Sequence, residues 1–455
     1  MKALSLLIPF LVFSFSCTNF PQNNSGGVWV ESIEVRVANL NVSKEHQLKE
    51  KPQTKHTLSW GPGEPRHNQD GKNKANDIAR VLAGMPVVSK SPFARITNKK
   101  SWREHSYGMR QTWKRTIGKK SSVIKKWAKR ELKHINDAGG LLFYPFAGPD
   151  VLYPQLFFPE HSSIVMIGLE SIGTLPDFKT FNQPNGEKAL SKYLKRVKAT
   201  TKNILRLSFF RTQSMKNQMK GSNPYKIDGT LPTILVLLAR LGNQIKGIDK
   251  VAINSEGELV SADRLVWNKK KALFPERKFN KKRKRKKKVI IRPVYGNRIF
   301  FIDKDGKNKT LIYLSMNLSN ERFRRIEGLS RRKDIQTYLR KLPIVTTYLK
   351  AASYLLHRGS FSIIRNLILE KTRFHLQDDS GIPVKYIPKN KFHITCFGNY
   401  NNPIELFNAY SQKALKKEYK KSKNRKQLPF GIGYHCSKRK SNLQLFSKIT
   451  DSGAR

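Results

Sequence analysis

Sequence motifs that identify the common enzyme classes are missing from this chain. Residues 117–121 (IGKKS) lack the earlier glycine that a phosphate-binding GxxxxGK[ST] loop needs, and no HExxH, GxSxG or CxxC motif occurs. These absences disfavour phosphate-loop NTPases, the common zinc peptidases and the nucleophile elbow of α/β-hydrolases. The sequence identifies no cofactor and no metal site. It also has no repeat of fixed period, which argues against solenoids and propellers.

Cysteine and acidic residues are both scarce. Beyond Cys17 the chain has only Cys396 and Cys436, which could form a disulfide in an oxidising compartment; the alternative is two buried free thiols. Asp and Glu number 32 against 88 Lys and Arg, so the formal net charge is +56. This charge favours polyanionic partners, including nucleic acid, acidic glycans and anionic lipid headgroups, and does not choose among them.

The apolar run at the amino terminus is short. Lys2 precedes thirteen mostly apolar residues, 3–15, whereas a helix that crosses a bilayer needs about 20. Such a run is typical of a cleaved signal peptide. Residues 14–17 (SFSC) form a loose lipobox, so we expect Cys17 to become the lipidated amino terminus of a bacterial lipoprotein. The alternative is an ordinary secretory signal with an incidental cysteine.

Composition divides the rest of the chain. We predict a signal peptide over 1–17, a flexible polar tether over 18–100, one folded domain over 101–448 and a disordered tail over 449–455. A basic loop at 268–288 interrupts the domain. Its centre is eight consecutive basic residues: Lys281, Lys282, Arg283, Lys284, Arg285, Lys286, Lys287 and Lys288. This run is interpreted as a solvated loop, as a patch for anionic glycan or lipid, or as a nucleic-acid element, although it has no interleaved aromatics for base stacking.

Hydrophobic patterning within the domain predicts helices and strands in alternation. Two apolar runs, 141–150 and 162–171, flank a short helical segment and indicate a β-α-β unit. Hairpins are predicted at Gly257 and Gly306. Further helices are predicted over 102–135, 190–219, 231–241, 319–342, 345–357, 361–371 and 403–421, and strands over 373–387, 391–400, 428–436 and 441–448. This pattern predicts an α/β or α+β fold with a mixed sheet flanked by amphipathic helices.

Two carboxylates follow the strands of the predicted β-α-β unit. Asp150 and Glu170 come just after the two apolar runs. Ligands of open α/β sheets bind at the carboxyl ends of the strands, so these carboxylates are candidates for holding a cation or acting as an acid and base pair. For Asp150 the alternative is a helix N-cap.

Three further residues are candidates for chemistry. Asp379 and its neighbour Asp378 lead into the turn 380–383, where the alternative is an Asx turn. Arg211 and His357 lie in otherwise apolar segments and could pair with these acids, either structurally or, for His357, to transfer a proton.

Several separated blocks of sequence resemble one family. They are FYPFAGPD (143–150), GLESIGTLPD (168–177), SFFRTQSM (208–215), ASYLLHRGSFSIIRNLIL (352–369), LQDDSGIP (376–383) and LPFGIGY (428–434). Together they resemble an uncharacterised family of exported bacterial proteins and lipoproteins, over about 101–448. The resemblance implies export and one continuous domain, and it supplies no reaction. The extra basic charge, above all the run at Lys281, departs from the family pattern.

Three hypotheses for function follow. The first is a lipid-anchored protein of the bacterial cell envelope whose basic surface binds anionic glycans or lipids. The second is an exported enzyme of hydrolase type with its site at the edge formed by Asp150 and Glu170, to which Asp379, Arg211 and His357 could contribute. The third, and least favoured, is a nucleic-acid-binding protein. The sequence favours a membrane partner through the lipid anchor and leaves the oligomeric state open.

Overall fold

A mixed sheet of ten strands organises the fold. The computed structural model describes residues 69–207, 229–265, 273–276, 287–290, 293–320, 325–326, 329–330, 333–401, 412–421, 425–434 and 439–449. All of them fall in the unit Lys55–Arg455. The predicted α/β class, with a mixed sheet and flanking helices, is confirmed.

Eleven α-helices and fourteen strands occur in the part of the chain that the structure describes. The helices are α1 Gln69–Leu82, α2 Ala94–Thr97, α3 Lys100–Trp113, α4 Lys119–Glu131, α5 Lys133–Ala138, α6 Leu152–Phe157, α7 Gly186–Leu207, α8 Leu231–Arg240, α9 Lys333–Lys341, α10 Ser362–Lys371 and α11 Lys413–Lys421. The strands are β1 Leu141–Pro145, β2 Ser163–Gly168, β3 Gln244–Ile253, β4 Leu259–Ser261, β5 Leu273–Glu276, β6 Lys287–Ile290, β7 Val294–Ile302, β8 Asn308–Ser315, β9 Arg325–Ile326, β10 Leu329–Ser330, β11 Val345–Leu349, β12 Thr372–Gln377, β13 Phe392–Gly398 and β14 Asn442–Lys448.

The strand order places a parallel block at the centre of the sheet. The order is β13-β14-β12-β11-β1-β2-β8-β7-β3-β4. Strands β12, β11, β1, β2 and β8 run parallel, and antiparallel strands extend the sheet on both sides. The predicted β-α-β unit is confirmed, because β1 and β2 pair in parallel with α6 between them in the chain. Both predicted hairpins are confirmed as well, β3 with β4 and β7 with β8.

Helices cover both faces of the sheet. In β1, Leu142 and Tyr144 belong to one apolar core and Leu141 and Phe143 to the other, because successive strand residues point to opposite faces. Helices α1 to α8 complete the first core, and α9, α10 and α11 complete the second. Helix α8 (LPTILVLLAR) is apolar on every side, which fits its burial within the first core.

The folded part begins earlier than the sequence predicts. Helix α1 lies inside the predicted tether of 18–100, yet Ile78, Val81 and Leu82 are buried in the first core. The tether prediction is therefore wrong for the residues from 74 onward. The error has a simple cause. Helix α1 begins with the polar stretch QDGKNK, so the average composition of this segment is polar although the second half of the helix has an apolar face.

Two predicted helices contain strands instead. The helix predicted over 319–342 is reduced to α9, after the short pair β9 and β10. The helix predicted over 345–357 is β11 followed by the 3-10 helix Ala351–His357. Strand β11 is buried on both faces, so it lacks the alternation that identifies half-buried strands, while its β-branched residues favour the extended conformation. A third prediction also fails, because 428–434 form no regular strand.

Several predictions lie outside the described residues. These include the signal peptide with Cys17, Arg211, Cys436, the tail from 450 onward and the core of the basic run, 281–286. Within the predicted loop of 268–288, β5 and β6 pair antiparallel, which places Lys287 and Lys288 in a strand. Among the described helices, none combines the length and the apolar character that a membrane crossing requires.

Candidate functional site

Polar side chains converge where three neighbouring parallel strands end. Asp150 lies in the loop after β1, Lys350 follows β11 directly, and Asp378 follows β12 directly. Because β1, β11 and β12 are parallel neighbours, their carboxyl ends share one edge of the sheet. We call the group at this edge the strand-end cluster. Its members are Tyr144, Asp150, Tyr153, Tyr348, Lys350, Asp378, Asp379 and Ser380.

A buried ion pair forms the centre of the strand-end cluster. Lys350 Nζ lies 2.5 Å from Asp150 Oδ2, and both side chains are only 1% exposed. The hydroxyl of Tyr144 donates a hydrogen bond to the same Oδ2 at 3.2 Å. Lys350 Nζ also lies 3.7 Å from the centroid of the Tyr153 ring, at cation–π distance. The ammonium is thus held by one carboxylate and one aromatic face.

This pair corrects one interpretation of Asp150. The side chain of Asp150 does not cap α6; Val151 occupies the N-cap position, and no side chain caps that helix. The carboxylate turns instead toward Lys350, on the neighbouring strand of the sheet. Lys350 is the residue that sequence reasoning missed, because it fell within a predicted helix. A lone lysine after the β-branched run 345–347 was the available signal.

Asp378 lies beside this pair and organises the turn after β12. Its Oδ1 accepts hydrogen bonds from the backbone N–H of Ser380 at 3.0 Å and from the Ser380 hydroxyl, and its Oδ2 accepts from the Ala351 N–H at 3.3 Å. The predicted Asx turn is confirmed, at Asp378. Burial, followed by the charge of Asp379, raises the pKa of Asp378 to about 6, against the opposing charge of Lys350.

The backbone at this edge adopts two uncommon conformations. Phe146, directly after β1, has φ 61°, and Ala351, two residues after β11, has φ 55°. A non-glycine residue in the left-handed region costs about 1 to 2 kcal/mol. Such residues are enriched at binding and active sites, where the surrounding structure holds them in place. Both of these residues flank the strand-end cluster.

Two polar atoms of the cluster have no hydrogen-bond partner among the described residues. They are Asp150 Oδ1 and the Tyr348 hydroxyl, and both are buried. The rings of Tyr348 and Tyr144 lie 4.8 Å apart, so both atoms belong to one polar region around Asp150. Buried polar atoms in native proteins are almost always paired with protein, water or ligand. A buried acceptor and a buried hydroxyl in one polar region suit a polar ligand that can form hydrogen bonds.

The remaining predicted site residues lie in two places: His357 and Asp379 at the turn after β12, and Glu170 after β2. His357 lies against the turn after β12: burial lowers its pKa to about 4, against opposing effects of the Asp379 charge and the Gly381 and Ser380 backbone. Asp379 is buried in that turn and its charge acts on His357, so the two residues lie near each other. Glu170 lies one strand further along, where its backbone carbonyl accepts a hydrogen bond from the Tyr313 hydroxyl at 3.1 Å. The ion partner of Asp150 is Lys350. The action of Asp150 and Glu170 as an acid and base pair stays a prediction.

Of the two cysteines in the predicted disulfide, Cys396 lies among the described residues. Cys396 is a buried free thiol, and burial raises its pKa to about 12. Its predicted partner, Cys436, lies outside the described residues; for Cys396 itself, the alternative of a buried free thiol is what the structure shows. Across the described ranges, no group of three or more His, Cys, Asp or Glu side chains is arranged to hold a metal ion.

A second candidate surface lies on α4. Its buried side chains, Ile124, Trp127 and Ala128, face the first core. Its exposed side carries the residues that we call the α4 basic face: Lys119, Lys125, Lys126, Lys129 and Arg130. Residues 105–130 contain no Asp or Glu. The first acid, Glu131, is half-buried and already pairs with Arg130 at 2.7 Å and with Lys426 at 2.8 Å.

Comparison with protein-family models, with curated proteins and with solved structures found no match to this chain.

Proposed function

We propose that this protein is an exported, lipid-anchored protein of the bacterial cell envelope that binds anionic polymers through the α4 basic face. The observation that carries the proposal is the one-sided charge of this helix. Five exposed cations share its solvent side, and residues 105–130 contain no acid. Among the described residues, only Arg130 of the five has an acid partner, Glu131. A surface of one sign attracts a polymer of the opposite sign, because many weak contacts act together.

Geometry supports a polymer rather than a small anion as the ligand of this face. Lys125 and Lys129 lie four residues apart, and Lys126 and Arg130 repeat that spacing, so their charges form rows along the helix. Each exposed charge in isolation contributes little, because water and salt screen it. A row of charges instead suits a ligand with repeated sulfate, phosphate or carboxylate groups.

Export and anchoring rest on residues 1–17. In this proposal the signal peptide is removed before Cys17, and acyl chains on Cys17 hold the protein at a membrane. The experiment is mass spectrometry of the mature protein purified from its own membrane fraction. An amino-terminal Cys17 with a lipid adduct is the expected result. A polypeptide that retains Met1, or one without any acyl adduct, would contradict the anchor.

The test of polymer binding is chromatography on immobilised heparin, with elution by a salt gradient. The variant Lys125→Gln/Lys126→Gln/Lys129→Gln should elute at clearly lower salt than the wild type. A matched control, Lys250→Gln/Lys304→Gln/Lys333→Gln, removes the same charge from scattered exposed positions and should elute near the wild type. Equal shifts of both variants would mean that total charge, and not the α4 basic face, determines binding.

The basic run at 281–288 requires a separate variant. Deletion of these eight residues leaves the α4 basic face intact, so the proposal expects heparin binding to survive in part. If the deletion abolished binding while the α4 variant did not change it, the run would be the contact and the α4 proposal would fail.

A second candidate function is acid–base catalysis at the strand-end cluster. The specific observation is that Asp378, whose pKa is raised to about 6, lies beside a charged lysine and two unpaired buried atoms. A carboxyl that titrates near neutrality can both give and take a proton. Tyr144, whose pKa burial and the Asp150 charge raise well above its ordinary value, stays protonated and can donate a hydrogen bond.

Hydrolysis of chromogenic substrates tests this second candidate. A panel of nitrophenyl esters, phosphates and glycosides would be assayed with the wild type, with Asp378→Asn and with the exposed control Asp137→Asn. Turnover that disappears only in Asp378→Asn supports the candidate, provided that circular dichroism shows an intact fold. Absence of turnover across the panel, or activity that survives Asp378→Asn, would contradict it and leave the cluster a structural polar core.

A further inference from the structure

A second group of cationic side chains lies between α3, α7 and α8. We call it the α3 cation cluster; its members are His105, Arg110, Lys198 and Arg240. A Cβ built on Gly108 of α3 would lie 3.0 Å from Lys198 Nζ, and a Cβ built on Gly84 would lie 3.4 Å from Arg240 Nη2. The ammonium therefore rests on α3, and the guanidinium rests against the turn that follows α1.

No acid neutralises this cluster within the part of the chain that the structure describes. Arg240, Lys198 and Arg110 form no salt bridge there. The Nε and Nη2 atoms of Arg240 are buried and have no hydrogen-bond partner among the same residues. The charges also act on one another: burial and then the Arg110 charge lower the pKa of Arg240 to about 10.

A helix end supplies part of the missing negative charge. Gly84 follows the end of α1, and a Cβ built there would lie 3.4 Å from Arg240 Nη2, so this C-terminus lies near the guanidinium. It carries about half a negative charge, which is less than the charge of one of the three cations. Arg110 is exposed and Lys198 and Arg240 are half-buried, so solvent screens part of the remaining charge. The two buried donor atoms of Arg240 have no partner among the described residues, and this is energetically costly.

We propose that the α3 cation cluster binds a tetrahedral oxyanion, the phosphate or sulfate group of a ligand. The two unpartnered atoms of Arg240, Nε and Nη2, form one edge of the guanidinium and donate in parallel, which matches two oxygens of such an anion. Lys198 supplies a second cation from α7, and the exposed Arg110 extends the positive charge to the surface. His105 is neutral near pH 7, because burial and the neighbouring cations lower its pKa to about 4. The inference uses none of the residues of the α4 basic face or of the strand-end cluster.

Inorganic phosphate is the probe for this site. The full chain would be titrated with phosphate in a chloride buffer of constant ionic strength, and binding would be followed by calorimetry and by the thermal midpoint. Arg240→Gln should weaken phosphate binding by at least about tenfold, equivalent to about 1.4 kcal/mol. In chloride alone, Arg240→Gln should unfold at a higher temperature than the wild type, because it removes a half-buried charge that has no acid partner among the described residues. Lys198→Gln is the second variant, and the exposed Arg103→Gln on α3 is the matched control.

The outcomes separate a site from general attraction. Loss of the phosphate effect in Arg240→Gln and Lys198→Gln, with retention in Arg103→Gln, supports the proposal. An equal phosphate effect in all four proteins would overturn it, because the anion would then bind surface lysines. A lower midpoint of Arg240→Gln in chloride would also overturn it, since the guanidinium would then have a structural partner.

Vesicles distinguish the source of the phosphate group. Phosphatidylglycerol vesicles would be compared with phosphatidylcholine vesicles for binding of the wild type and Arg240→Gln. Preferential phosphatidylglycerol binding that Arg240→Gln weakens supports the site with a lipid headgroup as its ligand. If phosphatidylglycerol binding is unaffected while the phosphate effect is lost, the site is supported with a soluble phosphate or sulfate group as its ligand.

Discussion

Lys350 is the side chain whose role the structure changes most. It forms a buried ion pair with Asp150. Removing both charges from water costs free energy, and their mutual attraction offsets this cost only while both side chains are present. The pair is therefore a sensitive element of the fold, whichever function the strand-end cluster serves. Lys350 reaches Asp150 because residues 345–349 form the central strand β11 and not the predicted helix.

Removal of one partner should be far more harmful than removal of both. We expect Lys350→Met to destabilise the protein by about 3 to 5 kcal/mol, because it leaves the Asp150 carboxylate buried without a cation. The double variant Lys350→Met/Asp150→Leu should recover most of this loss. Urea unfolding measures both. A control at the exposed pair, Lys133→Met, should change stability by less than about 1 kcal/mol. A double variant no more stable than Lys350→Met would contradict the expectation.

Buried histidines predict an acid-sensitive fold. Burial lowers the pKa of His105, His161 and His357 to about 4 and that of His375 to about 3, from an ordinary value of 6.5. Below pH 6.5 the unfolded chain binds protons at these positions and the folded chain does not. Stability should therefore fall as the pH drops from about 6.5 toward 4.

One carboxyl opposes this trend. The pKa of Asp378 is raised to about 6, so the folded chain takes up that proton first and gains stability between pH 6 and about 4. The effect of the four histidines exceeds that of the one aspartate, so the free energy of unfolding should decrease as the pH falls. Urea midpoints at pH 7.5, 5.5 and 4.5 measure it, and His375→Phe should flatten the dependence. Constant stability across this range would contradict the assigned burial.

Among the elements, α1 and β11 show how far the sequence could predict the fold. The β1–α6–β2 unit and both hairpins follow from apolar runs, chain spacing and turn residues, all of which are local signals. Strand β11 and helix α1 do not follow, because one is buried on both faces and the other is polar in its first half. What decides these two elements is the sheet against which they pack, and that is not visible from local periodicity.

The strand-end cluster shows the same division. Asp150, Asp379 and His357 were identifiable because they follow strands or lie in apolar segments. Lys350 was not, because its prediction needed the correct assignment of β11. The pairing of Asp150 with Lys350 also depends on the strand order, in which residues 200 positions apart become neighbours.

Helix α1 should be required for folding. It contacts α8 and β3 and contributes Ile78, Val81 and Leu82 to the first core. A chain that starts at Gln69 should unfold at a denaturant concentration close to that of the full chain. A chain that starts at Ser101 should be strongly destabilised, because it exposes the apolar surface that α1 covers. Equal stability of the two fragments would contradict the placement of α1 in the core.

For the chain as a whole, the charge of +56 is the property that any account of function must explain. The described fold distributes this charge unevenly. It places cations on the solvent side of α4 and around Arg240, and it neutralises the cation at Lys350 in the interior. Attachment through Cys17 would hold such a protein close to a membrane, where anionic headgroups and glycans are abundant. The basic α4 surface, together with the predicted export, is the basis of the proposal that this is an envelope protein that binds polyanions.

Salt dependence provides the decisive measurement. The heparin dissociation constant would be determined at several NaCl concentrations for the wild type, for Lys125→Gln/Lys126→Gln/Lys129→Gln and for the scattered triple control. Each lysine that contacts the polymer releases about one counterion, so the α4 variant should lower the slope of log K against log salt by up to about 3. The control should keep the slope of the wild type. An unchanged slope in the α4 variant would contradict the proposal that the α4 basic face binds the anionic polymer.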